Sequence, residues 1–404
     1  MASKASLFTI FLTVFIDLLG FGMVLPLLPI YADEFGASRT TIGLLMASFS
    51  AMQFLFAPLW GRLSDRIGRR PVLIVGLTGS VVFYALFGWA TVMKSLTWMF
   101  VARIGAGIAG ATISTAQAYI ADCTTKETRA KGMAIIGAAF GLGFTFGPLF
   151  GYLAVPSGSG DPGPGPGYAA AGLSAVALLL AIFKLPESLT PDAKPTAHGW
   201  MQFGALREAL AVPAVGSLLV AWFLIVFAFA NFESTLSLVI KDARGSFQFT
   251  FREVCLTFAY IGFLLTLIQG GIVRRLSSRV SEASMAGTGT VLELIGFGLL
   301  AAAERTASLP LLLISLAVIV GGFSCITPSL NSLLSRWSDP AKQGAVLGVG
   351  QSVSALARIA GPAIGIWLTK FGAGYPIWLA IGALLVGGLL LKTATGRGRD
   401  FAST

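Results

Sequence analysis

The chain has 404 residues, of which 55% are hydrophobic and only 11% are charged, against about a quarter in an ordinary soluble protein. Its net charge of +10 would suit nucleic acid, but the basic residues lie in short segments between apolar runs, which argues against a nucleic-acid-binding face. Three widely separated cysteines, Cys123, Cys255 and Cys325, and a single histidine, His198, argue against a disulfide framework, a zinc site and a histidine-based active centre.

Apolar runs of about 20 residues recur along the chain, each long enough to cross a bilayer as a helix. Twelve helices are predicted, at about 7–31, 41–61, 71–93, 96–121, 132–154, 168–185, 213–240, 253–273, 285–303, 308–335, 343–369 and 374–392. The expected fold class is therefore an all-α polytopic membrane protein. The first run follows Lys4. It is too long for a signal-peptide core and no small-residue cleavage site follows, so it reads as a transmembrane helix. The segment PSGSGDPGPGPG, 156–167, reads as a flexible loop without assigned function. The longest connection, about 186–212, is polar and proline-bearing. It divides the chain into a six-helix bundle over 1–185, a linker over 186–212 and a second bundle over 213–404.

With the N-terminus inside, nineteen lysines and arginines fall in inner loops and seven in outer ones. That bias places both termini and the linker in the cytoplasm. A weak repeat relates the halves. GPLFG at 147–151 matches GPAIG at 361–365, and Gly61 and Gly271 each open a basic turn after helices 2 and 8. Such duplication is the mark of transporters built from repeated bundles.

Helix 1 carries Asp17 near its middle, where a lone aspartate costs about 2.5–3.5 kcal/mol on insertion scales. Intramembrane acids commonly face a cavity on an ion or substrate path, with a structural polar contact as the plainer alternative. The turn after helix 2, GRLSDRIGRR at 61–70, is dense in charge. Arg62, Arg66, Arg69 and Arg70 are explained by topology alone, whereas Asp65, Gly61 and Gly68 are not. Arg103 in helix 4 and Arg358 in helix 11 are cations within helices, each in need of an acid or a set of carbonyls. Helix 5 carries Gly143, Gly147, Pro148 and Gly151, a spacing that permits close helix approach and a bend. Asn231 and Glu233 lie in helix 7, and Glu233 is a candidate proton carrier facing a cavity, or else a partner for a headgroup-level cation. Glu293 in helix 9 is the poorer candidate and is expected to make a structural contact. Gln53, Gln117, Asn331 and Gln351 line a polar cavity or bond between helices. Phe227, Phe229, Phe232 and Trp222 are aromatic candidates for a lipophilic ligand. GAGIAG at 105–110 satisfies a dinucleotide pattern but lies inside an apolar helix, where its glycines serve packing. No phosphate loop for direct ATP drive is present.

The 61–70 stretch resembles the G-x-L-x-D-R-x-G-R-R signature of the major facilitator superfamily, in the loop where that family carries it. The resemblance covers essentially the whole chain and implies two pseudo-symmetric six-helix bundles around a central cavity. It implies a cytoplasmic gate of Gly61, Asp65, Arg66, Gly68, Arg69, Arg70 and Asp122, in which Asp65 caps helix 11 and Arg69 pairs with Asp122. The second-half turn has Arg275 where Asp65 would be, so a symmetric second latch is not expected. Arg103 and Gly107 resemble the family's R-x-x-x-G motif, associated with proton coupling. Gly143, Gly147, Pro148 and Gly151 resemble the motif of its drug:proton antiporters. Asp17, Gly20, Gly22, Pro26 and Pro29, with YIADCTTKETRAKGMA at 119–134, resemble the tetracycline-efflux branch.

The expectation is a secondary transporter, not an enzyme, acting by proton-coupled efflux of tetracycline-like or other lipophilic drugs. Asp17, Arg103, Glu233, Arg358, Gln117, Asn231, Asn331 and Gln351 are its proton-coupling and cavity candidates. The proton gradient supplies the energy and no cofactor or metal is expected. Its partners are the lipid bilayer, protons and a small lipophilic substrate, and it acts as a monomer, with a bacterial inner membrane as its location. The alternative is a facilitator or symporter for an endogenous metabolite or lipid. A membrane receptor or scaffold fits the buried charges poorly, and a membrane enzyme lacks a nucleophile–base pair.

Overall fold

Among the described residues, twelve helices are long and apolar enough to cross a membrane. The structure, a computed structural model, describes residues 4–124, 129–156, 163–189, 213–242, 245–276, 279–338, 343–398 and 400. His198, most of the predicted linker and residues 157–162 of the glycine–proline loop lie outside them.

In chain order, α1 runs over Lys4–Val24 and resumes over Leu28–Glu34, and α2 covers Arg39–Ile67. Arg69–Val92 forms α3, and α4 comprises Leu96–Gly110 and Ile113–Asp122. Then come α5 over Arg129–Ala154, α6 over Gly165–Lys184 and α7 over Pro213–Lys241. Helix α8 covers Phe251–Leu267 and passes through a π-helical turn, Ile268–Val273, to Arg274–Leu276. The last four are α9 over Glu282–Thr306, α10 over Leu309–Arg336, α11 over Gln343–Leu368 and α12 over Gly374–Arg397.

Local chemistry sets these limits. Ser38, Ser281 and Ser308 cap α2, α9 and α10 by accepting from backbone N–H groups three residues on. Helix α1 is interrupted after Val24, with Pro29 in the first turn of its second piece. One expectation is corrected here. Most of the 61–70 stretch is not a turn, because α2 stays helical to Ile67. The chain reverses at Gly68 alone, at φ +106°, and α3 begins at Arg69. The apolar run ends near Trp60, but the helix continues one more turn and more, as charged residues tolerate the membrane–water boundary.

The described chain forms two packed units. The first takes in the described residues within 1–41, 48–200 and 249–263, and the second those within 42–47, 201–248 and 264–404. Two short segments thus depart from a division at the linker: residues 42–47 of α2 and 249–263 of α8. Within the first unit, α1 packs on α5 and α6, and α3 on α4 and α6. Within the second, α7 packs on α11 and α12, and α9 on α10 and α12. The four pairings of one unit recur in the other with every helix number raised by six.

The repeated glycines explain two of these seams. A Cβ on Gly147 would fall 2.8 Å from the Gly22 Cα and the Leu19 carbonyl, so α5 and α1 touch backbone to backbone. A Cβ on Gly361 would fall 2.8 Å from the Asn231 amide nitrogen, so α11 and α7 do the same. Small residues permit this approach in a membrane, where close packing replaces hydrophobic drive.

Candidate functional site

The charge network sits where α2, α3, α4 and the end of α6 meet. Arg69 is buried at 8% exposure. Its Nη1 donates to Ser64 Oγ at 2.7 Å and to the Asp65 carboxylate, one turn earlier, and its Nε donates to Asp122 Oδ2 at 3.2 Å. Asp122 also accepts from the Ser188 hydroxyl at 3.1 Å. Arg70 donates to the Ile182 carbonyl at 2.6 Å, while Arg66 is exposed. Gly61 has open space around it, and packing gives no reason for a glycine there.

The acid at the start of α3 is Glu187, which sequence reasoning did not single out. Its two carboxylate oxygens accept from the backbone N–H groups of Arg69 and Arg70 at 2.9 and 3.1 Å. It also accepts from the Ser188 and Leu189 amides at 2.8 and 3.0 Å. A carboxylate is favoured there by the unsatisfied N–H groups and positive dipole end of the helix. A side chain at Gly68 would collide with it. The only trace in the sequence is Pro186–Glu187 directly after an apolar run.

Deeper in this unit, Asp17 accepts from Ser174 Oγ of α6 at 2.9 Å and is hydrogen-bonded by Ser80 of α3. Its partners are polar side chains of neighbouring helices. Tyr84, one turn beyond Ser80, lies within electrostatic reach of both Asp17 and Arg103. Arg103 is 2% exposed. Its guanidinium carbon stands 4.5 Å from the centre of the Phe49 ring. Among the described residues its Nε and Nη1 have no partner. Gly107 faces Phe49 and Met52, so the glycine of that motif serves the approach of α4 to α2. Gln53 bonds the Gly110 carbonyl at 3.2 Å, which makes it an interhelical tie, while Gln117 is exposed. Gly143 and Gly147 bear on Leu18 and Leu19, beside Asp17, and Gly151 on Met23, with Pro148 inside α5.

In the second unit, Glu233 is half-buried and within electrostatic reach of Arg358, an exposed cation near the middle of α11. Gln351, on the same face of α11, donates to Asn331 Oδ1 at 3.3 Å. Asn231 is fully buried and donates to the Pro376 carbonyl at 2.7 Å, a tie between α7 and α12 and not a cavity wall. Three of the four aromatic candidates are corrected likewise. Trp222, Phe227 and Phe232 are buried in the unit's core, and Phe229 stacks on Phe323 with ring centres 3.7 Å apart. Glu293 is fully buried against Gly322, but among the described residues neither carboxylate oxygen has the structural partner expected of it.

The second unit has a charge network of its own. Glu282 at the start of α9 pairs with Arg336 at the end of α10 at 2.8 Å. Arg336 also donates to Asp400, beyond α12, at 3.1 Å, and Ser332 donates to Glu282 at 3.0 Å. These positions correspond to Arg69, Asp122 and the Glu187 segment with the signs of the first two exchanged.

A family model for the Major Facilitator Superfamily matches residues 10–281 and 245–400. The chain belongs to the major facilitator superfamily. It is an integral membrane transporter of that superfamily, not an enzyme. The chain is 32% identical over 371 residues to a class C tetracycline resistance protein of Escherichia coli, covering 90% of this chain and 89% of the relative. It is 31% identical over 425 residues to the human major facilitator superfamily domain-containing protein 10, covering 91% and 89%. The crystal structure of that human organic anion transporter superposes with a TM-score of 0.72 at 28% identity, covering 96% of this chain and 99% of the other. A D-xylose–proton symporter superposes at 0.76 with 17% identity, over 99% of this chain and all of the other, and shares the major facilitator fold.

Proposed function

We propose that the chain exports lipophilic, tetracycline-like drugs in exchange for protons, with both termini cytoplasmic, in a bacterial inner membrane. The observation that carries this reading is the position of Asp17. It is held by Ser174 on α6, and its neighbours along α1, Leu18 and Leu19, bear directly on Gly143 and Gly147 of α5. A shift at the α1–α5 seam therefore displaces Asp17, the one carboxylate of the Lys4–Val24 piece of α1, which links a change of conformation to a change of proton affinity. Tetracycline resistance relatives support the substrate class. Proton and drug each shift the two access states only through their differential affinity, so opposite preferences give exchange.

The test is proton movement in proteoliposomes containing a pH dye, with an imposed gradient and added tetracycline or lipophilic cations. Drug-triggered proton release is expected. Labelled drug crossing without protons would replace exchange by facilitated diffusion. Glu233→Gln is expected to flatten the pH dependence of transport, and Asp17→Asn faces the same measurement. An unchanged pH profile in either variant removes that residue as a proton carrier.

A second reading is favoured by Arg358. It is an exposed guanidinium near mid-membrane with no hydrogen-bond partner among the described residues. Such a cation in lipid is costly, so an aqueous or ligand-facing position suits it. Organic anions are then the substrate class, as in the name of the human structure. Arg358→Gln should lower flux of an anionic dye by about tenfold or more, as loss of a charge-assisted contact does. Flux of a neutral drug should hold, and equal losses for both would reject anion recognition by Arg358.

A further inference from the structure

We propose that Arg252 latches the seam between α5 and α8, and that this seam parts during the transport cycle. The proposal rests on the chain being a transporter and not on its substrate.

Arg252 lies in the first turn of α8. Its Nε and Nη2 both donate to the carbonyl of Val155, at 3.3 and 3.1 Å. Val155 directly follows the last residue of α5, where carbonyls lack intrahelical partners and the helix dipole is negative. The guanidinium carbon also stands 4.8 Å from the centre of the Tyr152 ring. One side chain thus ties the start of one helix to the end of another by hydrogen bonds, charge and stacking together.

The seam continues below the latch. Cys255, fully buried, has its Sγ 3.4 Å from where a Cβ on Gly151 would stand. Two turns on, Gly262 touches the backbone of Phe144 and Thr145 so closely that any side chain would collide. Then α8 changes character. Residues 249–263 belong to the first unit, and residues from 264 to the second. The π-helical turn Ile268–Val273 follows and packs on α10, with open space around Gly270 and Gly271. A π turn interrupts the helical ladder and marks a place to bend. A helix held by one unit over its first half and by another over its second must bend there or release one of them when the protein changes state.

Helices α3 and α5 run in the same direction. Arg69 begins α3 and Val155 follows the end of α5, so the latch and the Arg69 network sit at opposite membrane faces. Each face then carries one arginine whose release accompanies opening.

Cys255 supplies a native reporter. In protein with Cys123→Ser and Cys325→Ser, held in lipid nanodiscs, its rate of reaction with a small water-soluble maleimide measures how often the seam is open. Arg252→Ala should raise that rate by about tenfold or more, the factor expected from losing a charged donor pair. Arg252→Lys keeps the charge but not the fork, and should fall between the two. An unchanged rate in Arg252→Ala, with melting temperature and monodispersity as in the parent, overturns the latch. Should that variant fail to fold, Arg252→Gln takes its place with the same criterion. A Cys255 equally inert in parent and variant would overturn the parting of the seam.

Discussion

Arg69→Ala cripples transport in the expected outcome, and it destabilises the protein as well. The guanidinium serves Ser64, Asp65 and Asp122 at once. Its removal leaves two carboxylates close together without a cation. Removing one partner of a buried ion pair costs about 3–5 kcal/mol, and the aspartate side chains, 23% and 27% exposed, place this one near the lower end. About 3 kcal/mol corresponds to about two orders of magnitude in an equilibrium, so flux should fall by that factor if the network holds an access state. Arg69→Lys keeps the charge but lacks the planar fork that spans these acceptors, and it should recover only part of the loss. Flux and melting temperature measured on the same membranes separate gating from folding. Wild-type flux in Arg69→Ala would dismiss the network as a gate, whatever the melting temperature does.

Gly147→Val is the second large effect, and it acts on assembly. The added Cβ would stand 2.8 Å from Gly22 Cα and from the Leu19 carbonyl, both backbone, so neither can rotate away. Helices α1 and α5 would have to separate. Overpacking of this kind costs about 1–3 kcal/mol or more in well-packed interiors, and backbone against backbone belongs at the upper end. The melting temperature and the yield of monodisperse protein should both drop. Gly361→Val should behave alike in the second unit, where the obstacle is the Asn231 amide nitrogen. Gly172→Val is the control, since no atom outside its own helix lies within 4 Å of its Cβ position. Equal stability for Gly147→Val and Gly172→Val would refute the close-packed seam.

The number of membrane helices is legible in the sequence because bilayer thickness fixes the length of an apolar run. The ends of helices are less legible, because hydropathy marks where the membrane stops and not where the helix does. That is why Gly61–Ile67 reads as a turn yet belongs to α2. The interruption of α4 at Ala111 and Thr112 has no proline to announce it. Site chemistry follows the same division. Asp17, Arg103 and Glu233 stand out because a charge in an apolar run is conspicuous. Glu187 does not, because its partners Arg69 and Arg70 are 118 and 117 residues away and its own surroundings are polar. The nearness of Glu233 to Arg358 likewise exists only once α7 and α11 are side by side. Asn231, Trp222, Phe227 and Phe232 look like cavity residues from composition, and only packing places them inside the unit.

The two charge networks differ in a property that no substitution is needed to exploit. The Arg69 side chain is 9% exposed, whereas those of Arg336 and Asp400 are 48% and 56% exposed. Dissolved ions screen pairs in contact with solvent and barely reach those out of it, with a screening length that shrinks from about 8 Å at physiological ionic strength to about 3 Å at 1 M. The second network therefore weakens as salt rises while the first persists. Ionic strength becomes a selective handle on the C-terminal half of the transporter, and a cell that concentrates potassium would hold the two halves of one duplicated fold under different electrostatic control.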